Sequence, residues 1–173
     1  MAQVTIELRS GACADDVRDL FLFPAIEPGP EISAAAFAMK PRSRGSVRLN
    51  GSDPRTPLAI DHGFLRDPAD AEVLVEAFDA LRRLARSEAV RRYAARELRP
   101  GEDVDASTHV RASARGFFHP TGTCAIGSVV DARGRVLGYE GLVVADASVM
   151  PTIPRANTNL TTAAIAEKLA ETI

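Results

Sequence analysis

A chain of 173 residues, 46% of them hydrophobic, is expected to form about one domain and to bury roughly 70% of its unfolded surface, so its core needs no covalent staples. Charged residues make up 25% of it with both signs mixed and a net charge of −2, which sets aside nucleic acid and anionic membrane surfaces as partners, and no apolar run approaches the ~18 residues that span a bilayer. Glu7, Arg9, Asp15 and Asp16 occupy the segment where a signal peptide needs an unbroken apolar stretch, so a cytoplasmic protein is expected.

Val4, Ile6 and Leu8 alternate with Thr5 and Glu7, the period-two pattern of a half-buried strand. Residues 11–19 read as a loop, and Leu20-Phe21-Leu22-Phe23 as a short apolar strand ended by Pro24. Pro28, Gly29 and Pro30 make residues 26–31 a loop, after which the bounded apolar run Ala34–Met39 fits a buried strand better than a helix. Ser46–Leu49 followed by Asn50-Gly51 predicts a hairpin, because Asn-Gly tolerates the positive φ of the tight turn, with Leu58–Ile60 as the return strand. The basic cluster Lys40, Arg42 and Arg44 could serve a phosphate but is better read as solvated loop charge.

Asp67-Pro68-Ala69-Asp70 marks a helix start, with Asp67 as N-cap, Pro68 at the first helical position and Asp70 at the positive end of the dipole. Val73, Leu74, Ala77, Phe78, Leu81 and Leu84 then fall on one helical face, which is core. A second helix is expected over residues 87–98. The arginines at 82, 83, 86, 91, 92 and 96 alternate with Glu76, Asp79, Glu88 and Glu97 and predict a solvated helical face. Asp105 or Ser107 caps a third helix that ends near Gly116. Val129-Val130 and Arg135-Val136 around Asp131–Gly134 predict a second hairpin, and Leu142–Ala145 a buried strand. Ile165, Leu169 and Ile173 recur at four-residue spacing in a last helix that Asn157, Thr158 or Asn159 can cap. Together these elements predict an α+β fold, a largely antiparallel sheet carrying helices on one face.

Cys13 and Cys124 are too few for a disulfide framework, and Cys124 reads as a small buried hydrophobe. With no Cys-x-x-Cys and with His62, His109 and His119 widely spaced, no metal site is expected. The absence of a Gly-x-Ser-x-Gly elbow argues against serine hydrolase chemistry. That leaves Phe118-His119-Pro120-Thr121-Gly122-Thr123-Cys124, where an imidazole stands in a tight bend. Alone, such a histidine is more often a hydrogen-bonded structural residue than a catalyst.

The order of His119–Cys124, then Val144–Pro151, then Asn157-Thr158-Asn159 leading into Ile165–Lys168 resembles the C-terminal part of the glucose-methanol-choline family of flavin oxidoreductases. Weaker similarity at Lys40–Leu49 and Asp67–Asp70 extends the resemblance over nearly all of residues 1–173, with about 1–140 as a substrate-binding part and about 141–173 as a strand and helix that pack toward an FAD-binding domain. Family members carry a Gly-x-Gly-x-x-Gly turn for FAD in their first part. This sequence contains no such turn, so the resemblance implies an FAD-binding domain or subunit as partner.

The resemblance further implies that His119 accepts the proton of an alcohol while hydride passes to the flavin. Imidazole suits that task because its ordinary pKa of about 6.5 lets it take and return a proton near neutral pH. Asn157 stands at a family position filled by histidine or asparagine, and its amide can hold the substrate oxygen. The helix start is implied to face the flavin's pyrimidine edge, with Thr158, Asn159 and Thr161 as cofactor contacts, and Asp146 and Ala147 to approach the ribityl and phosphate region. A truncated or interaction-only subunit is the competing expectation, and lyase chemistry in the same fold a third. Ile126, Arg155 and Leu160 depart from common family residues, the last two at the implied flavin edge.

Overall fold

Burial alternates along residues 6–8 and 20–23, whereas the run expected as a buried strand, Ala34–Met39, is exposed at its first two residues and only half-buried over the rest. In the computed structural model, which describes residues 4–13, 17–27, 29 and 31–171, Ile6–Leu8 (β1), Leu20–Ile26 (β2) and Ile32–Ala38 (β3) form an antiparallel sheet in the order β1-β2-β3. Ile6 pairs with Leu22 and Leu22 with Ala36, so one row of apolar side chains crosses the sheet. Helix α1 (Pro68–Ala85) packs against β2 and β3, and Leu20, Leu22, Ala77 and Ala80 close a core with Ile6, Leu8, Ala36, Val73 and Leu81 around it. Parts of the two expected loops (residues 14–16, Pro28 and Pro30) and Ile173 of the expected last helix lie outside the described residues.

The α+β expectation holds, with helices and small antiparallel sheets. The start of α1 is as expected: the Asp67 carboxylate accepts from the Ala69 N–H at 3.0 Å, and Pro68 opens the helix. Asp70 does more than face the dipole. It is buried and accepts the backbone N–H groups of Arg42 and Ser43 at 2.7 and 2.8 Å, tying the loop after β3 to the helix. Arg44 turns its guanidinium onto the carbonyls of Pro41, Arg42 and Ser43, so this member of the basic cluster serves the loop itself.

Several boundaries differ from expectation for physical reasons. β2 continues past Pro24 to Ile26; β1 pairs only as far as Leu22, so the proline sits where the strand has no neighbour on that side. The helix expected over 87–98 shrinks to α2 (Glu88–Arg91), none of whose residues is buried, and a helix this short without tertiary support does not propagate. Helix α3 (Ala106–Ser113) is capped by Asp105, which accepts from the Thr108 N–H, and stops before Gly116 because Ala114 is already extended. Within the arginine-rich face Arg82 is not solvated. It donates from Nε and Nη2 to Glu97 at 3.0 and 2.9 Å and from Nη2 to the Gly101 carbonyl at 3.0 Å, and lies 4.6 Å from the Phe78 ring centroid.

Two compact units emerge, one from Met1–Arg44 with Gly63–Arg115 and the other from Gly45–His62 with Gly116–Ile173. In the second, Ser46–Arg48 (β4) pairs with Ala59–Asp61 (β5), Val47 opposite Ile60. A Cβ on Gly45 would collide with the Asp61 carbonyl oxygen, so only glycine fits at this edge. The hairpin exists, but Asn50-Gly51 does not close it tightly: the last pair is Arg48 with Ala59, and the connection turns at Asp53, whose carboxylate accepts from the Arg55 N–H and whose carbonyl accepts from Thr56. The expected strand Leu142–Ala145 is reduced to a bridge between Arg135 and Val143, and the second hairpin to one between Val130 and Val136. Helix α4 (Thr158–Ala170) ends the described chain, with Val130, Val149, Met150 and Leu169 buried in this unit. Among the described residues no helix is long and apolar enough to cross a membrane.

Gly134 joins these parts. It is buried at φ 72°, and a Cβ there would lie 2.5 Å from the Val144 carbonyl oxygen and 3.0 Å from Leu169 Cδ1. Gly134→Ala therefore combines a left-handed backbone penalty with overpacking, and denaturant unfolding should show a loss of about 2–4 kcal/mol. A loss no larger than about 0.5 kcal/mol, that of an ordinary surface change, would mean that the turn is not held this way.

Asp131 closes the same turn. Its carboxylate accepts from the N–H groups of Arg135 and Arg133, and these bonds, that from Arg135 foremost, hold its pKa below the ordinary carboxylate range. A depressed folded-state pKa means a contribution present above the unfolded value and lost as pH falls through the folded one. Wild type should accordingly exceed Asp131→Asn in thermal stability at neutral pH, and the gap should close as pH drops below about 4. A gap independent of pH would remove the charged carboxylate as its cause.

Candidate functional site

His119 lies outside any regular element, and the backbone around it is shaped by its neighbours on both sides. Phe118 precedes it at φ 58°, the left-handed region, a conformation costing about 1–2 kcal/mol in a bulky residue. The Phe118 side chain is 87% exposed, so its own burial does not offset that strain. On the other side the chain is anchored at once. The N–H groups of Gly122, Cys124 and Ile126 donate to the carbonyls of Ala147, Ser148 and Val149 at 3.4, 2.9 and 2.9 Å. The segment after the histidine thus lies along the 3-10 turn Ala147–Val149, which α4 also contacts.

The imidazole is half-buried and its Nδ1 stands 2.9 Å from the Thr158 hydroxyl. Thr158 is the first residue of α4 and only 6% exposed. Among the described residues no hydrogen bond engages Nε2 of His119. The Phe117 ring meets the imidazole edge-on, centroids 6.2 Å apart. One turn into α4, the Thr162 hydroxyl donates back to the Thr158 carbonyl at 2.8 Å.

The other expected site residues fall around this pair in different ways. Asn157 holds the N-cap position, but its side chain makes no capping bond and is exposed. The first-turn N–H groups of α4 are therefore not capped by it, and the amide is left for other use. Asn159 is exposed and Thr161 half-buried on the first turn. Asp146 is exposed at the 3-10 turn, where its carboxylate accepts from the Ser148 N–H at 2.8 Å and from the Ser148 hydroxyl. These bonds, the hydroxyl's first, hold its pKa below the ordinary carboxylate range, so Asp146 is a charged acceptor committed to its own turn. Ala147 beside it is half-buried.

Cys124 is half-buried rather than fully buried, and carries a free thiol. His109 belongs to the other unit, its ring 4.8 Å from Phe78. Among the described residues no cluster of His, Cys, Asp or Glu could hold a metal. The sequence reading missed the bond between His119 and Thr158, whose partners stand 39 residues apart with no local pattern linking them. It also missed the left-handed Phe118, which no sequence signal marks.

A half-buried imidazole with one nitrogen anchored and the other unengaged among the described residues, next to a helix start that Asn157 leaves uncapped and to its exposed amide, can move a proton at a polar oxygen and stabilise negative charge nearby. Known proteins share this arrangement of sequence. The family model for GMC oxidoreductase, C-terminal part, matches residues 41–166. An oxygen-dependent choline dehydrogenase from Burkholderia ambifaria is 41% identical over 144 residues, covering 79% of this chain and 25% of that protein. Its counterpart from Klebsiella pneumoniae is 40% identical, covering 79% and 26%. Among solved structures, pyridoxine 4-oxidase from Mesorbium loti superposes with a TM-score of 0.85 at 28% identity, over 97% of this chain and 37% of its own. A fungal aryl-alcohol oxidase does so with a TM-score of 0.75 at 34% identity, over 89% and 27%. This chain spans about a quarter of the length of the curated relatives it matches. The motif resemblance is thereby borne out, and the chain belongs to the GMC oxidoreductase family, matching its C-terminal part.

Proposed function

We propose that this chain is the substrate-binding and catalytic-base portion of an FAD-dependent alcohol oxidoreductase, working with an FAD-binding domain or subunit. The observation that carries the proposal is His119, anchored through Nδ1 on a buried threonine at the start of α4 and, among the described residues, unengaged at Nε2. The named relatives support an alcohol as substrate, one being a choline dehydrogenase and another an aryl-alcohol oxidase.

The residues present fit one part of FAD and not another. With no glycine-rich dinucleotide turn, this chain offers nothing comparable for the pyrophosphate, which falls to the FAD-binding partner. The uncapped N–H groups at the start of α4, with exposed Asn159 and half-buried Thr161, fit a ring edge that gains negative charge. Asp146 and Ala147 complete the cofactor-contacting set of the proposal. Bound FAD supplies the hydride acceptor. His119 takes the alcohol proton at Nε2, and the Asn157 amide donates to the substrate oxygen and orients it.

Leu49 and Leu160 are 82% and 81% exposed, which suits a unit that packs against further protein and equally a subunit that only binds. Flavin absorbance separates the two: flavin retained when the chain is co-expressed with an FAD-binding half supports the enzyme, and a flavin-free complex supports the interaction subunit. In the flavin-loaded enzyme, His119→Ala should slow flavin reduction by the alcohol by roughly 10²- to 10⁴-fold, the usual worth of a general base. Stopped-flow reduction at the wild-type rate would take His119 out of the mechanism.

A further inference from the structure

Resting on the reading of His119 as the base, we propose that Thr158 is its positioning residue: the Thr158 hydroxyl accepts the Nδ1–H of His119 and holds the neutral ring in the tautomer whose Nε2 carries the lone pair. Two features of the fold create the need for such a residue. His119 stands on irregular backbone directly after a left-handed Phe118, so no helix or strand sets the ring's orientation. Neutral imidazole also has two tautomers, and only the one protonated at Nδ1 can accept a proton at Nε2.

Thr158 meets the first need by its geometry and, with its hydroxyl as the acceptor in this proposal, the second. Its hydroxyl is 2.9 Å from Nδ1, and the residue is 6% exposed, so solvent does not compete for the bond. As a β-branched residue at the first position of a thirteen-residue helix its side chain has few orientations, and its carbonyl is held by Thr162. The partner is uncharged. When Nε2 gains the substrate proton, the Nδ1–H bond stays as it was, so no group must reorient during the transfer. Thr158 acts on the reaction through His119 and not by touching the cofactor with its hydroxyl.

The tautomer can be read directly. Long-range ¹H–¹⁵N correlation spectra of the ¹⁵N-histidine-labelled chain, at a pH where His119 is neutral, should show His119 protonated at Nδ1. Thr158→Val, which keeps the shape and removes the hydroxyl, should give a mixture of tautomers, and Thr158→Ser should restore the wild-type form. In the flavin-loaded enzyme Thr158→Val should lower the limiting rate of flavin reduction on the order of 10-fold with the substrate affinity unchanged, and Thr158→Ser should retain most of the rate. An Nε2-protonated ring in the wild type overturns the proposal without any variant, so a Thr158→Val chain that fails to fold leaves it decidable. Wild-type tautomer and rate in Thr158→Val, beside a slow His119→Ala, would sink the positioning role while the base stands. A fast His119→Ala would instead sink the base, and the spectra would still report the bond.

Discussion

The second unit depends on a short stretch of backbone pairing. Three N–H groups from the segment after His119 donate to three successive carbonyls of the 3-10 turn at Ala147–Val149. Each bond is worth little alone, on the order of 1 kcal/mol, but together they determine where the histidine loop runs. Because α4 contacts the same turn, the loop and the helix start share one support. The 2.9 Å approach of His119 to Thr158 follows from that common seating. Were the loop attached elsewhere, the imidazole and the α4 N-terminus would be two unrelated features.

The site combines elements of different stiffness. Thr158 is buried and β-branched on a helix, whereas Asn157 and Asn159 on either side of it are exposed. Successive residues at one helix start thus differ in surroundings: Thr158 is buried against His119 while its two neighbours face solvent. Asp146 illustrates the opposite division. It is exposed and charged, yet among the described residues both hydrogen bonds that its carboxylate accepts come from Ser148, so its side chain serves the turn that carries the loop.

What could be read from the sequence was what is encoded locally. Asp67 and Pro68 with the apolar stripe behind them located the start of α1, and the apolar run Leu20–Phe23 located β2 without saying which of its faces is buried. The motif around His119 and the Asn157–Asn159 run carried the family, through their order along the chain. What could not be read depended on neighbours distant in sequence. Pro24 looked like a strand end because nothing local says that β1 pairs only as far as Leu22. Leu142–Ala145 looked like a strand because an apolar run does not reveal how little backbone will lie beside it. Arg82 looked like one of six solvated arginines until Glu97 and the Gly101 carbonyl were seen to enclose it. The hydroxyl of Thr158 could be recognised as a histidine's partner only in three dimensions.

Gly134 has a bearing on how this unit can move. It lets the Asp131 turn come against the Val144 carbonyl and Leu169, near the far end of α4, while Thr158 at the near end is bonded to the histidine loop. A helix advances about 1.5 Å per residue, so a slide of even one residue along its axis would break contact at both ends together. Helix α4 is therefore a fixed post, clamped top and bottom, and any rearrangement of this unit that keeps both contacts must leave it in place.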